Sequence, residues 1–333
     1  MYASRTISLW SIAIVLITGD VRAAEADTAL LSQPAVSTNH VAFIYADDLW
    51  VADLDGKNPR RLTGDIGVEL NPHFSPDGQT IAFSAQYDGN VDVFTIPVTG
   101  GPPKRLTTHP GPDIVRGWTP DGSAVLFSSP RNVFTNRYSQ LFTVPTSGGM
   151  PTQLPIPNGV EACYSPDGEQ IAYTPIADRT GQWKHYRGGT HSRIWVYRRS
   201  DHHVDQIPQP EGRCNDLDPQ WLNGTIYFRS DRNGEYNVFA YDTKTKQVRQ
   251  VTKHADFPVQ DLGSGGGRVV YEQGGHIHLL DPNHDESKRL AIGVTADLVE
   301  TRPRFAKGAK YIRGSHVSPS GARAVFEFRG EIV

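Results

Sequence analysis

One turn, written repeatedly along the chain, constrains the fold more than any other feature. Ser75-Pro76-Asp77-Gly78, Thr119-Pro120-Asp121-Gly122, Ser165-Pro166-Asp167-Gly168 and Ser318-Pro319-Ser320-Gly321 share it, and Trp221-Leu222-Asn223-Gly224 and Ser264-Gly265-Gly266-Gly267 are degenerate copies. Proline presets φ, aspartate bonds the nearby backbone and glycine accepts positive φ, so the tetrapeptide specifies a tight turn. A short β-branched or aromatic run follows each turn: Ile81-Ala82-Phe83, Val125-Leu126-Phe127, Ile171-Ala172-Tyr173, Ile226-Tyr227-Phe228, Val269-Val270-Tyr271 and Val325-Phe326. Runs of this kind read as buried strands. Asp88-Gly89, Asn233-Gly234 and Gly274-Gly275 then lead into hairpin partners such as Val93-Phe94-Thr95-Ile96 and Val238-Phe239-Ala240-Tyr241, as such dipeptides favour. A last strand carries one apolar residue at a fixed place, namely Leu62, Leu106, Leu154, Ile207, Val251 and Leu290.

Gly78, Gly122, Gly168, Gly224, Gly267 and Gly321 are separated by 44, 46, 56, 43 and 54 residues, close to the ~40–50 of propeller blades. The two long intervals mark insertions near 177–192 and 291–313. A four-stranded sheet of this size cannot bury both faces alone, so it stacks on neighbours of its own kind, and radial closure removes the open ends. The expected fold is all-β: a six-bladed β-propeller of four-stranded antiparallel blades over residues 40–312, then the first strands of a second propeller over 313–333. Residues 24–39 are read as an N-terminal lead. Because Glu331-Ile332-Val333 stands where a hairpin partner begins, 313–333 are expected to open something larger than this sequence.

Arg5 precedes an apolar run from Leu9 to Ile17, and Val21-Arg22-Ala23 offers a small-x-small pattern. Residues 1–23 are therefore read as a secretory signal peptide, too short to span a bilayer, and the expected location is the periplasm. Without them 31 basic and 35 acidic side chains remain, a mild net negative charge that argues against nucleic acid as a partner. No later run is long and apolar enough to cross a membrane. Cys163 and Cys214 are too few for a disulfide framework, although the two can pair with each other in an oxidising compartment.

The chain holds no G-x-S-x-G, H-E-x-x-H or G-x-x-x-x-G-K-[ST] pattern, so neither a nucleophile elbow, a zinc helix nor a phosphate loop is expected. No cofactor and no metal site follow from the residues. His276 and His278 share one strand face but lack an identifiable third ligand, and Asp53-x-Asp55-Gly56 reads as a hairpin turn, not a calcium loop. Catalytic residues are expected to be absent.

With its repeats aligned, the chain resembles the N-terminal part of tricorn-type proteases and, more loosely, the propeller of TolB proteins. The particular stretches are Trp183-Lys184-His185-Tyr186-Arg187-Gly188-Gly189, Ile194-Trp195-Val196-Tyr197, Asn215 to Trp221, Ile226 to Arg232 and Gly314 to Gly330. The resemblance implies a non-catalytic propeller that gates or guides oligopeptides and scaffolds a serine-type peptidase core, with that core and a second propeller as its partners. It also implies a basic peptide anchor in the third repeat. Here that feature is half matched by Arg131 followed by Asn132, with Arg137 as the nearby substitute, so Arg131 and Arg137 are the candidate peptide-binding residues. The alternative is a stand-alone TolB-like interaction propeller. Self-association into a homo-oligomer is left open.

Overall fold

A computed structural model of the chain describes residues 27–133, 135, 137–178, 183–296, 303, 305 and 307–333. The signal peptide expected over 1–23 lies outside the described residues. The chain forms two compact units, one ending at Val294 and the other covering 295–333.

The first unit is built of six four-stranded antiparallel sheets, each made of strands consecutive in sequence, as the turn spacing predicts. Blade one comprises Ser32–Val36, His40–Tyr45, Asp48–Asp53 and Arg60–Arg61, and blade two Glu69–Phe74, Thr80–Ala85, Asp92–Pro97 and Lys104–Arg105. Blade three comprises Ile114–Trp118, Ala124–Ser129, Gln140–Pro145 and Thr152–Gln153, and blade four Ala162–Tyr164, Gln170–Tyr173, Trp195–Arg198 and Val204–Gln206. Blade five comprises Asp216–Leu222, Thr225–Ser230, Asn237–Asp242 and Val248–Gln250, and blade six Val259–Gly265, Arg268–Gln273, His276–Asp281 and Glu286–Arg289. The first strand of each blade touches the first strand of the next, and those of blades six and one also meet, so the ring is closed around an axis.

The turn chemistry works as the residue types dictate. In Ser75 to Gly78 the Ser75 hydroxyl donates to Asp77 Oδ1 at 2.5 Å and accepts the Thr80 N–H at 3.0 Å, while Gly78 has a φ of 71°. Ser165 repeats this with Asp167 at 2.6 Å and the Gln170 N–H at 2.9 Å. These turns all lie on one face of the ring. The opposite face carries the loops between second and third strands and the connections between blades.

Blades pack by alternation. Along Thr80–Ala85, Ile81 and Phe83 face blade one while Ala82 packs against Phe127 and Phe142 of blade three. Ala172 of blade four likewise packs against Phe228 and Phe239 of blade five. A small residue facing a stacked aromatic pair fills the space between sheets without voids; the rings of Phe127 and Phe142 stand 5.6 Å apart.

Ser32–Val36 falls within the segment read from sequence as a lead, yet it is the innermost strand of blade one, pairing with His40–Tyr45. Closure is completed by Leu31 N–H donating to Gly275 O at 3.0 Å and Thr28 N–H to Ile292 O at 2.8 Å. The glycine-rich stretch of blade six serves the same junction, since a Cβ at Gly263 would stand 2.5 Å from Pro34 O. Close backbone approach accounts for these glycines.

The second unit holds a three-stranded antiparallel sheet, Ile312–Val317, Ala324–Phe328 and Glu331–Ile332, which begins a second propeller. Among the described residues no helix is long and apolar enough to cross a membrane.

Candidate functional site

The first strands of the blades line the axis, and five of them lead into it with an unusual local geometry. Gln33-Pro34, Asn71-Pro72 and Asp218-Pro219 occupy matching places, with φ of 50°, 51° and 51° at the residue before proline, and the pairing of the first and second strands is interrupted at this level in blades one, two, three, five and six. A left-handed non-glycine residue is costly, of order 1–3 kcal/mol, and its displaced N–H needs an acceptor. The neighbouring blade supplies it: Asn71 N–H donates to Gln33 Oε1 at 2.6 Å, and Asp218 N–H to Glu161 Oε2 at 2.8 Å. The side chains at this level therefore stitch blade to blade around the axis.

Gln33, Asn71, His73, Arg116, Glu161, Asp218 and Asp261 form a waist whose free volume is about 50 Å³, room for only a few waters. His73, Arg116 and Gln220 also bound a wider chamber of 410 Å³ on the turn face, walled by Trp118, Tyr164 and Trp221. A funnel thus opens on the turn face and narrows at the waist.

The waist is charged. Arg229 pairs with Asp218 and, at 3.4 Å, with Asp178; burial works against its charge, but Asp218, Glu161, Asp178 and Asp261 outweigh this and raise its pKa. Burial, reinforced by the Asp218 charge, pushes Glu161 up to about 8. Burial and the Asp261 charge do the same to Glu272, again to about 8. Burial followed by the Arg116 charge pushes His73 down to about 4. At neutral pH the two glutamates therefore keep their protons and His73 stays neutral.

On the opposite face, acid–arginine clamps recur. Arg131 donates to Asp113 at 2.5 Å, bonds the Ser129 hydroxyl and lies 5.0 Å from the centres of both Phe127 and Phe142. Arg232 repeats this in blade five with Asp216 at 2.9 Å, the Ser230 hydroxyl and the rings of Phe228 and Phe239. The Arg131 side chain is only 12% exposed, so its guanidinium is occupied within the fold. Arg137 is exposed, with its backbone N–H on the Thr135 hydroxyl. The structure does not bring the two arginines into one described contact.

The insertion in blade four is explained by a third clamp. Asp231, fully buried, accepts from Arg187 at 2.5 Å, from the Asn215 backbone at 2.7 Å and side chain at 3.1 Å, and contacts His185 Nδ1 at 3.1 Å. Lys184 adds a 2.6 Å pair to Glu235. The stretch around Arg187 and the Ser230-Asp231-Arg232 stretch are thus two halves of one contact.

Cys163 and Cys214 are separate thiols, both pushed up to about 12 by burial. His278 stacks on Tyr271 at 5.0 Å, and no group of three or more His, Cys, Asp or Glu among the described residues is arranged for a metal. Sequence reasoning missed the waist. Its signal was a polar residue seven positions before the turn glycine at Asn71 and Glu161, and six before it at Asp218 and Asp261.

Comparison with known proteins agrees with this architecture. The chain is 25% identical over 307 residues to a tricorn protease homolog of Saccharolobus solfataricus, covering 89% of this chain and 28% of that protein. It is 29% identical over 294 residues to tricorn protease homolog 1 of Streptomyces coelicolor, covering 88% of this chain and 27% of the relative. The crystal structure of the tricorn protease superposes with a TM-score of 0.78 at 24% identity over 91% of this chain and 30% of its own. TolB from Acinetobacter baumannii shares the fold, with a TM-score of 0.57 at 19% identity over 79% of this chain and 62% of its own. The chain spans less than a third of the curated relatives named here. The family model for the tricorn protease N-terminal beta propeller domain matches residues 28–286, and the chain belongs to that family.

Proposed function

We propose that this propeller receives and guides oligopeptides for an exported tricorn-like serine peptidase while carrying no catalysis itself. The observation that supports this reading is the funnel, 410 Å³ at the turn face and 50 Å³ at the waist. Aromatic walls give an unfolded peptide sequence-tolerant contacts, and backbone groups on the first strands give it hydrogen-bond partners. A waist with room for a few waters stops a chain until blades shift, which makes it a gate.

On this reading the six blades, residues 32–289, are the conduit and 313–333 lead into a second propeller, which with the peptidase core is its partner. We assign contact with peptide carboxylates to exposed Arg137 and a holding role to Arg131. Export rests on the Leu9 to Ile17 run behind Arg5.

A photoreactive oligopeptide carrying benzoylphenylalanine tests the reading. Irradiation is expected to label Trp118, Tyr164 or Trp221, with the peptide left uncleaved. Labels confined to the outermost strands, or peptide cleavage by the purified chain, would overturn it.

A further inference from the structure

On the face opposite the funnel, a pocket of about 230 Å³ lies between blades three and four, walled by Tyr138, Tyr173, Pro175, Ile176 and Trp195, with Arg193 at its lining. Tyr173 and Trp195 meet edge to face at 6.0 Å. The walls are almost wholly apolar, and the volume falls below the ~300–1,000 Å³ of sites for drug-sized molecules. One large side chain fits; a folded partner does not.

Two polar features in this lining lack the partners that the rest of the molecule provides. The Trp195 indole N–H is buried without a hydrogen-bond acceptor, a state that costs about 1–3 kcal/mol unless something completes it. Arg193 is half-buried, and its Nε donates to His191 Nε2 at 3.0 Å. No ion pair to it is seen among the described residues, whereas Arg131, Arg187 and Arg232 on the same face each hold a buried aspartate. An uncompensated guanidinium beside an aromatic wall calls for an anion with acceptor oxygens attached to an apolar body.

We infer that this pocket binds a single bulky apolar residue bearing a free carboxylate, with the carboxylate on Arg193 and the side chain against Tyr173, Pro175, Ile176 and the Trp195 ring. The residue is either a free N-acylated amino acid or the last residue of a peptide. The site stands whether or not the funnel conducts peptides, because it lies on the other face and its probe is a single amino acid.

Calorimetric titration of the full chain with N-acetyl-phenylalanine, its amide and Gly-Gly-Phe tests this. The acid is expected to bind with a Kd on the order of 1 mM and the amide about tenfold more weakly. Gly-Gly-Phe binding as well as the acid identifies a peptide terminus; its exclusion identifies the free compound. Arg193→Gln should abolish the preference for acid over amide, and Trp195→Ala should weaken acid and amide alike, by roughly tenfold, through loss of the wall. Arg193→Lys keeps the charge and should retain part of the preference, which separates lost binding from a loosened 183–191 segment. Equal binding of acid and amide, no heat at all, or an unchanged preference in Arg193→Gln would overturn the site.

Discussion

On the turn face the blades present one hairpin in chemical variations, with Ser75 and Ser165 each holding an aspartate two residues on and a strand N–H five residues on. On the opposite face the loops between second and third strands run from two residues in blades one and six to twenty-one in blade four, and order comes from buried acids that grip arginines, as Asp113, Asp216 and Asp231 do. The first face is stabilised locally, within five residues of chain. The second depends on partners as far apart as Arg187 and Asp231. Local turns are tolerant of single losses, whereas a buried clamp is not, because removing one partner leaves the other charged and unsolvated.

The largest effect should follow from breaking a clamp. Asp216→Ala leaves Arg232, 8% exposed, over Phe228 and Phe239 with no carboxylate. We expect a loss of about 3–5 kcal/mol, read as a lower urea midpoint. A loss no greater than that of a surface substitution would erase the contrast between the faces.

A smaller effect sharpens it at the level between them. Glu161 and Glu272 titrate near 8 in the fold and near 4.5 when unfolded. Between those values the unfolded chain has released protons that the folded chain keeps, so stability is full below about pH 4.5 and declines as pH rises through 8. Replacing both glutamates by glutamine should flatten this decline, by roughly 2 kcal/mol after allowing for water in the channel. Urea midpoints at pH 5 and 8.5 read the difference, and identical slopes in the two proteins would contradict the protonated waist.

The sequence revealed the outer three strands of each blade more readily than the innermost. Ile81-Ala82-Phe83 announces Thr80–Ala85 because both its faces are buried between blades. Ser32–Val36 and Glu69–Phe74 announce nothing: they contain Pro34 and Pro72, turn left-handed at Gln33 and Asn71, and show polar groups to the channel. Proline in a run argues against a strand, and here both prolines line the waist. The waist was hidden for the same reason. Glu161, Asp218 and Asp261 are an ordinary set of acids in sequence, and only ring closure brings them to one level. Arg131 was visible as a basic residue, but its Asp113 partner, eighteen positions earlier, was not.

A crystal structure of the chain grown with saturating oligopeptide reaches the central claim directly. Peptide density inside the turn-face funnel of a closed six-bladed ring, stopping at Arg116 and Asp218, is the expected result. Peptide seated only on the outer strands, or a ring open between the strands of blades one and six, would contradict it.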